Sequence, residues 1–482
     1  MVKTKTLDYN YYLRICIMLL LIFGSNFVPA IGPLTDYGTT IAGIFLGIIY
    51  GYLNFGMTIP SFLALIAIGF SGYDTVPGVL KSALGNGIVL YVFSILIFSQ
   101  ILQDSGLANK MINWIISRKI AKGKPWILSF LFMMTAYLVS LLVNFIPPCI
   151  ILWGMLKELF KTVGFKPGDK WPMIILAGVL YMSTMGGFVA PYQTGVVGNF
   201  GILTAVSNGA LTFNAMRYFL WAFVIGLILM LLWLLFARFV INPDVSLLKR
   251  EDLFEEDTTP LTVSQKIVVV LFVLFIAGLV LPSILPENLL LTKLLLKIDN
   301  CGWGVLMVAI ACLIRMDGKN LFDFGEMFSK GVIWDLPIMM ACVFTIAGIL
   351  TDQSTGIPIM ITQMIQPLMD AMSMTSFWLV LVFIVLLLSN ITNTLVITCT
   401  FIPMLYTVAA DTGMNLVLFT ACVNFIGNMC FLSPACCMNA AMLYGEKTWL
   451  NTKFCMLFAT FVFVTLYIVI VGIGLPLGNI LL

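Results

Sequence analysis

The sequence predicts an all-α polytopic membrane protein, with about eleven transmembrane helices and two re-entrant hairpins in two inverted-topology repeats. Three observations predict this fold class. Of the 482 residues, 61% are hydrophobic and only 10% are charged, whereas charged residues make up roughly 25% of an ordinary soluble domain. Two long apolar stretches are interrupted by polar residues and proline. The polar positions of these stretches recur at a shift of about 249 residues.

Composition also excludes several classes of function. The net charge of +3 provides no basic surface for nucleic acid. Histidine is absent, which removes the commonest metal ligand and general base. The sequence shows no nucleophile–base pair, zinc-type cysteine spacing or phosphate-binding loop. An enzyme is therefore not expected, and no cofactor is predicted beyond a coupling sodium ion.

Eleven apolar segments approach the length of about 20 residues that a helix needs to cross a bilayer. The first of them is not followed by a clear small-residue cleavage site, so it is predicted to remain as a transmembrane helix. The predicted spans are 11–31, 38–54, 56–71, 86–104, 171–192, 214–240, 267–286, 301–315, 334–351, 415–444 and 453–478.

Two further apolar stretches, 126–156 and 375–408, are broken near their middle. Non-helical backbone at membrane depth is tolerated only where it is buried in protein or lines a cavity. Each stretch is therefore predicted to form a re-entrant hairpin. The interrupting residues are Asn144, Pro147 and Pro148 in the first stretch, and Asn390, Asn393 and Pro403 in the second.

Lysine and arginine predict the orientation, because cytoplasmic loops carry an excess of these residues. With a cytoplasmic N-terminus, the only ones of the 25 that fall outside are Lys81, Arg217, Lys293 and Lys297. The C-terminus is then extracellular or periplasmic, and the membrane is the plasma (inner) membrane. The polar, acidic segment 242–266 is predicted to be a cytoplasmic linker between two halves.

The two halves share a sequence pattern. Both hairpins contain Ser-x-x-x-Asn, from Ser140 to Asn144 and from Ser389 to Asn393. Each repeat holds an odd number of spans, so the second copy is predicted to be inverted. Inverted repeats with broken helices are typical of secondary transporters, which bind substrate near the midplane. The predicted divisions are an N-terminal helix over 1–37, a first repeat over 38–241, the linker, and a second repeat over 267–482.

The broken tips supply groups that bind ions. Backbone N–H groups at helix starts attract anions, and C=O groups at helix ends attract cations. Asn144 and Asn393 are the leading tip residues, because asparagine both donates and accepts hydrogen bonds. The residues around them are Ser140, Ser389, Asn390, Thr392 and Thr394. Alternatively, these side chains only cap the broken helices or join neighbouring helices.

Two later spans contain matching polar breaks, one from Gly186 to Gly195 and one at Leu432–Ser433–Pro434, followed by Asn439. Glycine and proline open a helix and let a ligand approach the backbone. A plain proline kink is the alternative. The membrane core lacks clear ionisable groups, so coupling to a metal cation through carbonyl and hydroxyl oxygens is favoured over a proton relay.

With these motifs, nearly the whole chain resembles the divalent anion/sodium symporter family, which carries di- and tricarboxylates and sulfate and belongs to the ion transporter superfamily. Gly106-Leu107-Ala108 resembles the start of that family's membrane-arm helix. The family's paired Ser-Asn-Thr motifs correspond to Val143-Asn144-Phe145 and Thr392-Asn393-Thr394. Its two breaks correspond to Gly186-Gly187 through Thr194 and to Ser433-Pro434 with Asn439.

The resemblance implies a sodium-coupled carrier of small di- or tricarboxylate anions, such as citrate. It also implies a homodimer and an elevator movement of a transport domain against a scaffold. The implied substrate-binding residues are Asn144, Thr194, Asn393, Thr394, Ser433 and Pro434. The implied sodium ligands are Ser140, Asn144, Gly187, Gln193, Ser389, Thr392, Asn393, Ser433 and Asn439.

The first motif departs from the family pattern, because Val143 and Phe145 replace its serine and threonine. We therefore expect fewer coupled ions or a weak first sodium site. Two alternatives remain open, namely a sodium-independent anion exchanger and an inorganic-anion or arsenite carrier of the same superfamily. An ion channel is disfavoured, because discontinuous inverted repeats without an ion-selective ring indicate a carrier.

Overall fold

The structure, a computed structural model, describes residues 9–116, 123–143, 145–249, 260–286, 288–316, 318–391, 394–433 and 437–482. Within these ranges the chain is almost entirely helical. The β-structure seen there is a short antiparallel pair formed by β1 (Arg315–Met316) and β2 (Lys319–Asn320). The all-α class predicted from the sequence is confirmed.

The helices before the predicted linker include α7 and α8, which cover the predicted first hairpin. They are α1 (Tyr9–Leu19), α2 (Asp36–Phe55), α3 (Thr58–Phe70), α4 (Val76–Leu84), α5 (Gly87–Asp104), α6 (Leu107–Ile116), α7 (Pro125–Leu142), α8 (Ile146–Val163), α9 (Lys170–Val189), α10 (Thr194–Val206) and α11 (Ala215–Phe236). Side chains cap several of their first turns. Thr35 accepts from the Gly38 N–H at α2, and Asn86 accepts from the Ile88 N–H at α5.

The helices after the predicted linker include α17 and α18, which cover the predicted second hairpin. They are α12 (Val263–Ile284), α13 (Leu290–Leu313), α14 (Phe324–Gly331), α15 (Asp335–Leu350), α16 (Ile357–Asp370), α17 (Met374–Ser389), α18 (Thr394–Thr412), α19 (Leu416–Gly427), α20 (Met438–Gly445), α21 (Thr452–Val469) and α22 (Leu475–Leu481). Thr262 and Gln265 form a capping box at the start of α12. Residues 250–259 of the predicted linker lie outside the described residues.

Nine helices in the described part of the chain are long and apolar enough to cross a bilayer, or ten if the bent pair of α14 and α15 counts as one span. Three of the spans predicted from the sequence are shorter or broken. The segment 56–71 forms the 13-residue α3, and 334–351 forms the 16-residue α15. The segment 415–444 is divided between α19, which ends at Gly427, and α20, which begins at Met438, and Asn428, Ser433 and Pro434 interrupt the apolar run between them.

The helix order repeats across the two halves. Helices α4 to α8 begin at Val76, Gly87, Leu107, Pro125 and Ile146, and helices α14 to α18 begin at Phe324, Asp335, Ile357, Met374 and Thr394. Each pair of starting residues is separated by about the shift found in the sequence. The inverted orientation of the two halves, their boundaries and the sides on which the hairpins enter the membrane stay predictions.

Helix α9 lies at the centre of the molecule. An 18-residue window of this helix is completely buried inside the protein, whereas the corresponding windows of α12 and α13 are only 22% and 28% buried. Helix α9 packs against both α7 and α8. The first predicted hairpin therefore packs against the most buried of the candidate membrane spans in the described part of the chain.

Candidate functional site

The tip of the first hairpin lies between the end of α7 and the start of α8. The Ser140 hydroxyl is fully buried and lies 2.8 Å from the hydroxyl of Ser183 on α9. Ser183 in turn donates to the carbonyl of Phe145 at 2.5 Å. Because Ser183 uses its only hydroxyl hydrogen on Phe145, the Ser140 hydroxyl is the donor of the pair. Asn144 lies outside the described residues.

The predicted glycine-rich break overlaps the last turn of α9, because residues 186–189 remain helical and the helix ends only at Val189. A Cβ at Gly186 would lie 2.3 Å from the Tyr137 carbonyl oxygen, so α7 and α9 approach closely there. At the neighbouring Gly187, a Cβ would lie 3.1 Å from the Cβ of Phe145. These two glycines let the end of α9 approach the first tip closely, and the assignment of Gly187 as a sodium ligand stays a prediction.

Two side chains within the break, beyond the end of α9, contact the carbonyls at the end of α7. The Tyr192 hydroxyl donates to the Leu141 carbonyl. The Gln193 amide Nε2 lies 3.5 Å from the carbonyls of Ser140 and Leu141 and 3.4 Å from that of Val143. Three carbonyls offer only acceptors, so the nitrogen end of the amide faces them. Thr194, the first residue of α10, is half-buried beside them.

The tip of the second hairpin uses its polar side chains differently. The hydroxyl of Ser389 and the amide of Asn390 both donate at 2.8 Å to the carbonyl of Leu386, one turn earlier in α17. The Asn390 Oδ1 accepts from the Leu432 N–H at 3.0 Å. This bond joins the second tip to the second break. Thr392 and Asn393 lie outside the described residues.

Thr394 begins α18 and is buried against α19. A Cβ at Gly427 would lie 2.4 Å from the Thr394 methyl group, so only glycine fits on α19 at this point without a shift. Ser433 in the second break is half-buried, and Pro434 lies outside the described residues.

Asn439, in the first turn of α20, carries an unpaired buried atom. The residue is 4% exposed, and its Oδ1 has no hydrogen-bond partner among the described residues. Leaving a buried acceptor unpaired costs about 1–3 kcal/mol. A carbonyl-type oxygen held in this way is a suitable ligand for a cation. The structure describes no group of three or more cysteine, aspartate or glutamate residues suited to a metal ion.

The sequence analysis missed a set of buried polar residues beside the two tips. The Asn199 amide on α10 donates to the Asn424 Oδ1 on α19 at 2.7 Å, and both residues are at most 1% exposed. Asn424 also donates to the Tyr218 hydroxyl on α11 at 2.6 Å. Neither asparagine belongs to a recognised motif. The available signal was an amide within an otherwise apolar helix, which requires a polar partner in a membrane.

A cavity of about 370 Å³ lies between α5, α10, α12 and α13 and extends to Tyr192. Its size is within the range of about 300–1,000 Å³ that small-molecule sites occupy. Asp299 lines it and has φ of 59° inside α13, a strained conformation for a residue other than glycine. Other polar residues that line it are Asn86, Tyr91, Thr204, Thr212 and Asn300.

Comparisons with known proteins identify relatives of this chain. The profile of a family described as citrate transporter matches residues 45–424. A search of curated protein sequences found no match. Among solved structures, the YdaH transporter of Alcanivorax borkumensis has a TM-score of 0.57 at 14% identity, covering 98% of this chain and 99% of that one.

A second similar structure is that of MtrF from Neisseria gonorrhoeae, which its description places in a class of antimetabolite efflux pumps. It has a TM-score of 0.58 at 13% identity, and the match covers 97% of this chain and 96% of that chain. At such low identity these two structures establish the fold alone. The fold is that of membrane transporters.

Proposed function

Because the chain belongs to the citrate transporter family, a family of transporters rather than enzymes, we propose that it carries small di- or tricarboxylate anions across the membrane by sodium-coupled symport. The observation that carries the proposal is the family match, since residues 45–424 include both hairpins and the glycine-rich break. Citrate is the first substrate to test.

The charge distribution supports a coupling cation. The sequence has no lysine or arginine from 125 to 156 or from 331 to 446, which includes both hairpin tips. A multivalent anion held there receives no basic side chain from these two segments, and burying unpaired charge is costly. Helix N-termini at Ile146 and Thr394 supply partial positive charge, and bound sodium supplies the rest.

The second half of the site offers better sodium ligands than the first. Asn439 presents an unpaired buried oxygen near the second break. At the first tip, by contrast, the Gln193 amide already faces three carbonyls that would otherwise attract a cation. The proposal is therefore that the second half carries the main sodium site and that fewer ions are coupled than the family pattern implies.

Two glycine joints support the proposal of an elevator movement. Gly106 precedes α6 with φ of 68°, and Gly356 precedes α16 with φ of 72°. At each joint, the backbone beside the glycine accepts a hydrogen bond from a side chain near the start of another helix. Gln265 of α12 donates to the Ser105 carbonyl at 3.4 Å, and the Thr35 hydroxyl beside α2 donates to the Ser354 carbonyl at 3.0 Å. Because the start of each helix is held in place by such a hydrogen bond, α6 and α16 can act as arms that connect the moving hairpins to the rest of the protein.

The resemblance further supports the proposal of a homodimer. Helices α2 and α12, whose first turns hold the two glycine joints, would belong to its scaffold. Cross-linking of the purified protein in lipid nanodiscs tests this point. A single-chain species at all cross-linker concentrations would reject the homodimer without affecting the substrate assignment.

Sodium-independent exchange is a second candidate, favoured by the position of Gln193. If its amide takes the place of a coupling sodium ion, the negative charge of the transported anion must be balanced in another way. Exchange for a second anion on the opposite side achieves this without a sodium gradient. Exchange is also insensitive to sodium, which separates it from symport.

Uptake of labelled citrate, succinate and sulfate into proteoliposomes tests the proposal. For symport, citrate uptake should require an inward sodium gradient, and citrate affinity and sodium affinity should increase each other by the same factor. Uptake that ignores sodium but requires anion inside the vesicles would support exchange instead. No uptake of any of these anions under either condition would contradict both functions.

A further inference from the structure

Four buried side chains on four helices form a continuous chain of hydrogen bonds, which we call the polar bridge: Thr398 on α18, Asn199 on α10, Asn424 on α19 and Tyr218 on α11. The Thr398 hydroxyl donates to the Asn199 Oδ1 at 2.6 Å. Asn199 donates to Asn424, and Asn424 donates to Tyr218. Each of the four residues is at most 1% exposed.

One end of the polar bridge reaches the last turn of α9, within the glycine-rich break. The Tyr218 hydroxyl donates to the Phe188 carbonyl at 2.6 Å, and the Asn424 amide lies 3.4 Å from the same oxygen. The Phe188 ring lies 6.0 Å from the Phe145 ring at the first tip. A Cβ at Gly195 would lie 2.6 Å from this ring. The position of Phe188 therefore affects both the first tip and the start of α10.

The other end of the polar bridge reaches the second tip. Thr398 lies one turn after Thr394 in α18, and its hydroxyl is 2.9 Å from the Thr394 carbonyl. Thr394 in turn packs against Gly427 of α19, the helix that carries Asn424. The bridge thus begins one turn from the second tip and ends at the break beside the first.

We propose that Asn199, Asn424 and Tyr218 are positioning residues, and that their bridge holds the second tip and the glycine-rich break at a fixed relative position. Apolar packing in a membrane is not directional, whereas hydrogen bonds between helices select one register. A ligand that moves α18 at Thr394 then displaces Phe188 as well. The consequence for binding rests on the proposed transport function, while the mechanical link does not.

Hydrogen–deuterium exchange of the ligand-free protein in nanodiscs tests the mechanical link. Thr398→Val removes the hydroxyl at the α18 end of the bridge. We expect exchange in residues 186–195, which lie in the other half of the chain, to increase about ten-fold. Thr400→Val is the matched control, because the Thr400 hydroxyl donates to Val396 in its own helix. The control should leave residues 186–195 unchanged.

A second pair of variants covers the case in which Thr398→Val does not fold. Tyr218→Phe retains the ring and removes only the hydroxyl, and it should also increase exchange in residues 186–195. Thr420→Val is its control, because Thr420 is equally buried on α19, one turn before Asn424, and donates to the Leu416 carbonyl. Unchanged exchange at the break in both Thr398→Val and Tyr218→Phe would overturn the proposal.

Citrate binding to the same purified variants tests the functional consequence. Thr398→Val should weaken citrate binding about ten-fold relative to Thr400→Val. Equal citrate affinity in the two variants would overturn the role of the bridge in binding. If the unmodified protein binds no citrate, the proposed substrate fails, and the exchange measurement still decides whether the bridge links the two tips.

Discussion

The two hairpin tips share the pattern Ser-x-x-x-Asn, but their polar groups have different hydrogen-bond partners. At the first tip, side chains from α9 and from the segment after it contact the Ser140 hydroxyl and the last carbonyls of α7. Ser183 pairs with Ser140, and Gln193 faces three carbonyls. At the second tip, Ser389 and Asn390 both donate to Leu386 in their own helix.

This difference shows that a repeated sequence pattern does not imply repeated chemistry. Val143 and Phe145 stand in the first tip where Thr392 and Thr394 stand in the second. At these two positions the first tip has no hydroxyl group, and the side chains of Tyr192 and Gln193 face its carbonyls. The second tip has a threonine at both positions in the sequence. We therefore infer that the first half mainly holds the site together and the second half mainly selects the ligand.

The largest difference is expected between the two tip asparagines. Asn393→Ala should reduce citrate uptake at least 100-fold, about 2.7 kcal/mol of transition-state free energy, because its tip retains both threonines. Asn144→Ala should reduce uptake about ten-fold. Proteoliposome uptake at equal protein density measures both.

Asn54→Ala is the control for these two variants, since Asn54 donates to the Tyr50 carbonyl within its own helix. Its uptake should match that of the unmodified protein. A larger loss for Asn144→Ala than for Asn393→Ala would reverse the assignment of roles to the two halves.

A second comparison concerns the two glycines that bring helices together. Gly186→Ala should lower the free energy of unfolding by about 3 kcal/mol, because the new methyl group meets the backbone oxygen of Tyr137. Gly427→Ala should cost less, about 2 kcal/mol, because the new methyl group meets the Thr394 side chain rather than backbone, although its contact with the Thr394 Cβ at 2.9 Å is not relieved by rotation. Thermal unfolding in detergent measures both. Equal losses would show that the two halves are packed equally rigidly.

The sequence predicted the broken helices well, because asparagine and proline within an apolar run are costly and therefore informative. The structure has helix boundaries at Leu142 and Ile146 and at Ser389 and Thr394, within the two predicted hairpins. The interruption of the span over 415–444 was also visible at Pro434. The sequence analysis nevertheless predicted one span over this segment, whereas the structure has two separate helices there.

The partners of the polar side chains could not be predicted from the sequence. Asn199 and Asn424 are single amides in apolar helices, and their pairing depends on how α10 and α19 pack. Gln193 was predicted as a sodium ligand, and that assignment stays a prediction. The structure shows that its amide nitrogen faces the carbonyls. A sequence pattern gives a residue's position along the chain and leaves the orientation of its side chain open.

Gln193→Ala tests whether this amide occupies the place of a cation. Without it, the carbonyls of Ser140, Leu141 and Val143 lose a donor and should attract sodium. We expect one additional sodium ion per citrate, and thus one additional charge per cycle. The membrane potential would then contribute about 2.3 kcal/mol more per 100 mV.

Reversal potentials of reconstituted Gln193→Ala measure the charge moved per citrate. Gln193→Glu should show the same increase, because a carboxylate recruits a cation more strongly than an alanine. Gln103→Ala is the control, since Gln103 donates to Ser99 within α5. An unchanged charge per citrate in both Gln193 variants would show that the three carbonyls form no cation site.

The smallest expected effect concerns the ion pair of Lys157 and Glu446, which joins α8 of the first hairpin to the end of α20 in the second half. Their side chains are 33% and 12% exposed, and the Lys157 ammonium also lies 5.5 Å from the centre of the Trp153 ring. Partial burial reduces screening by salt, so Glu446→Gln should lower the free energy of unfolding by about 1 kcal/mol. Glu326→Gln breaks a pair between exposed neighbours on α14 and should cause no measurable change. Thermal unfolding at low and at high salt concentration distinguishes the two pairs. If Glu446→Gln is as neutral as Glu326→Gln, the first hairpin is held to the second half by apolar packing and the polar bridge without help from this charge.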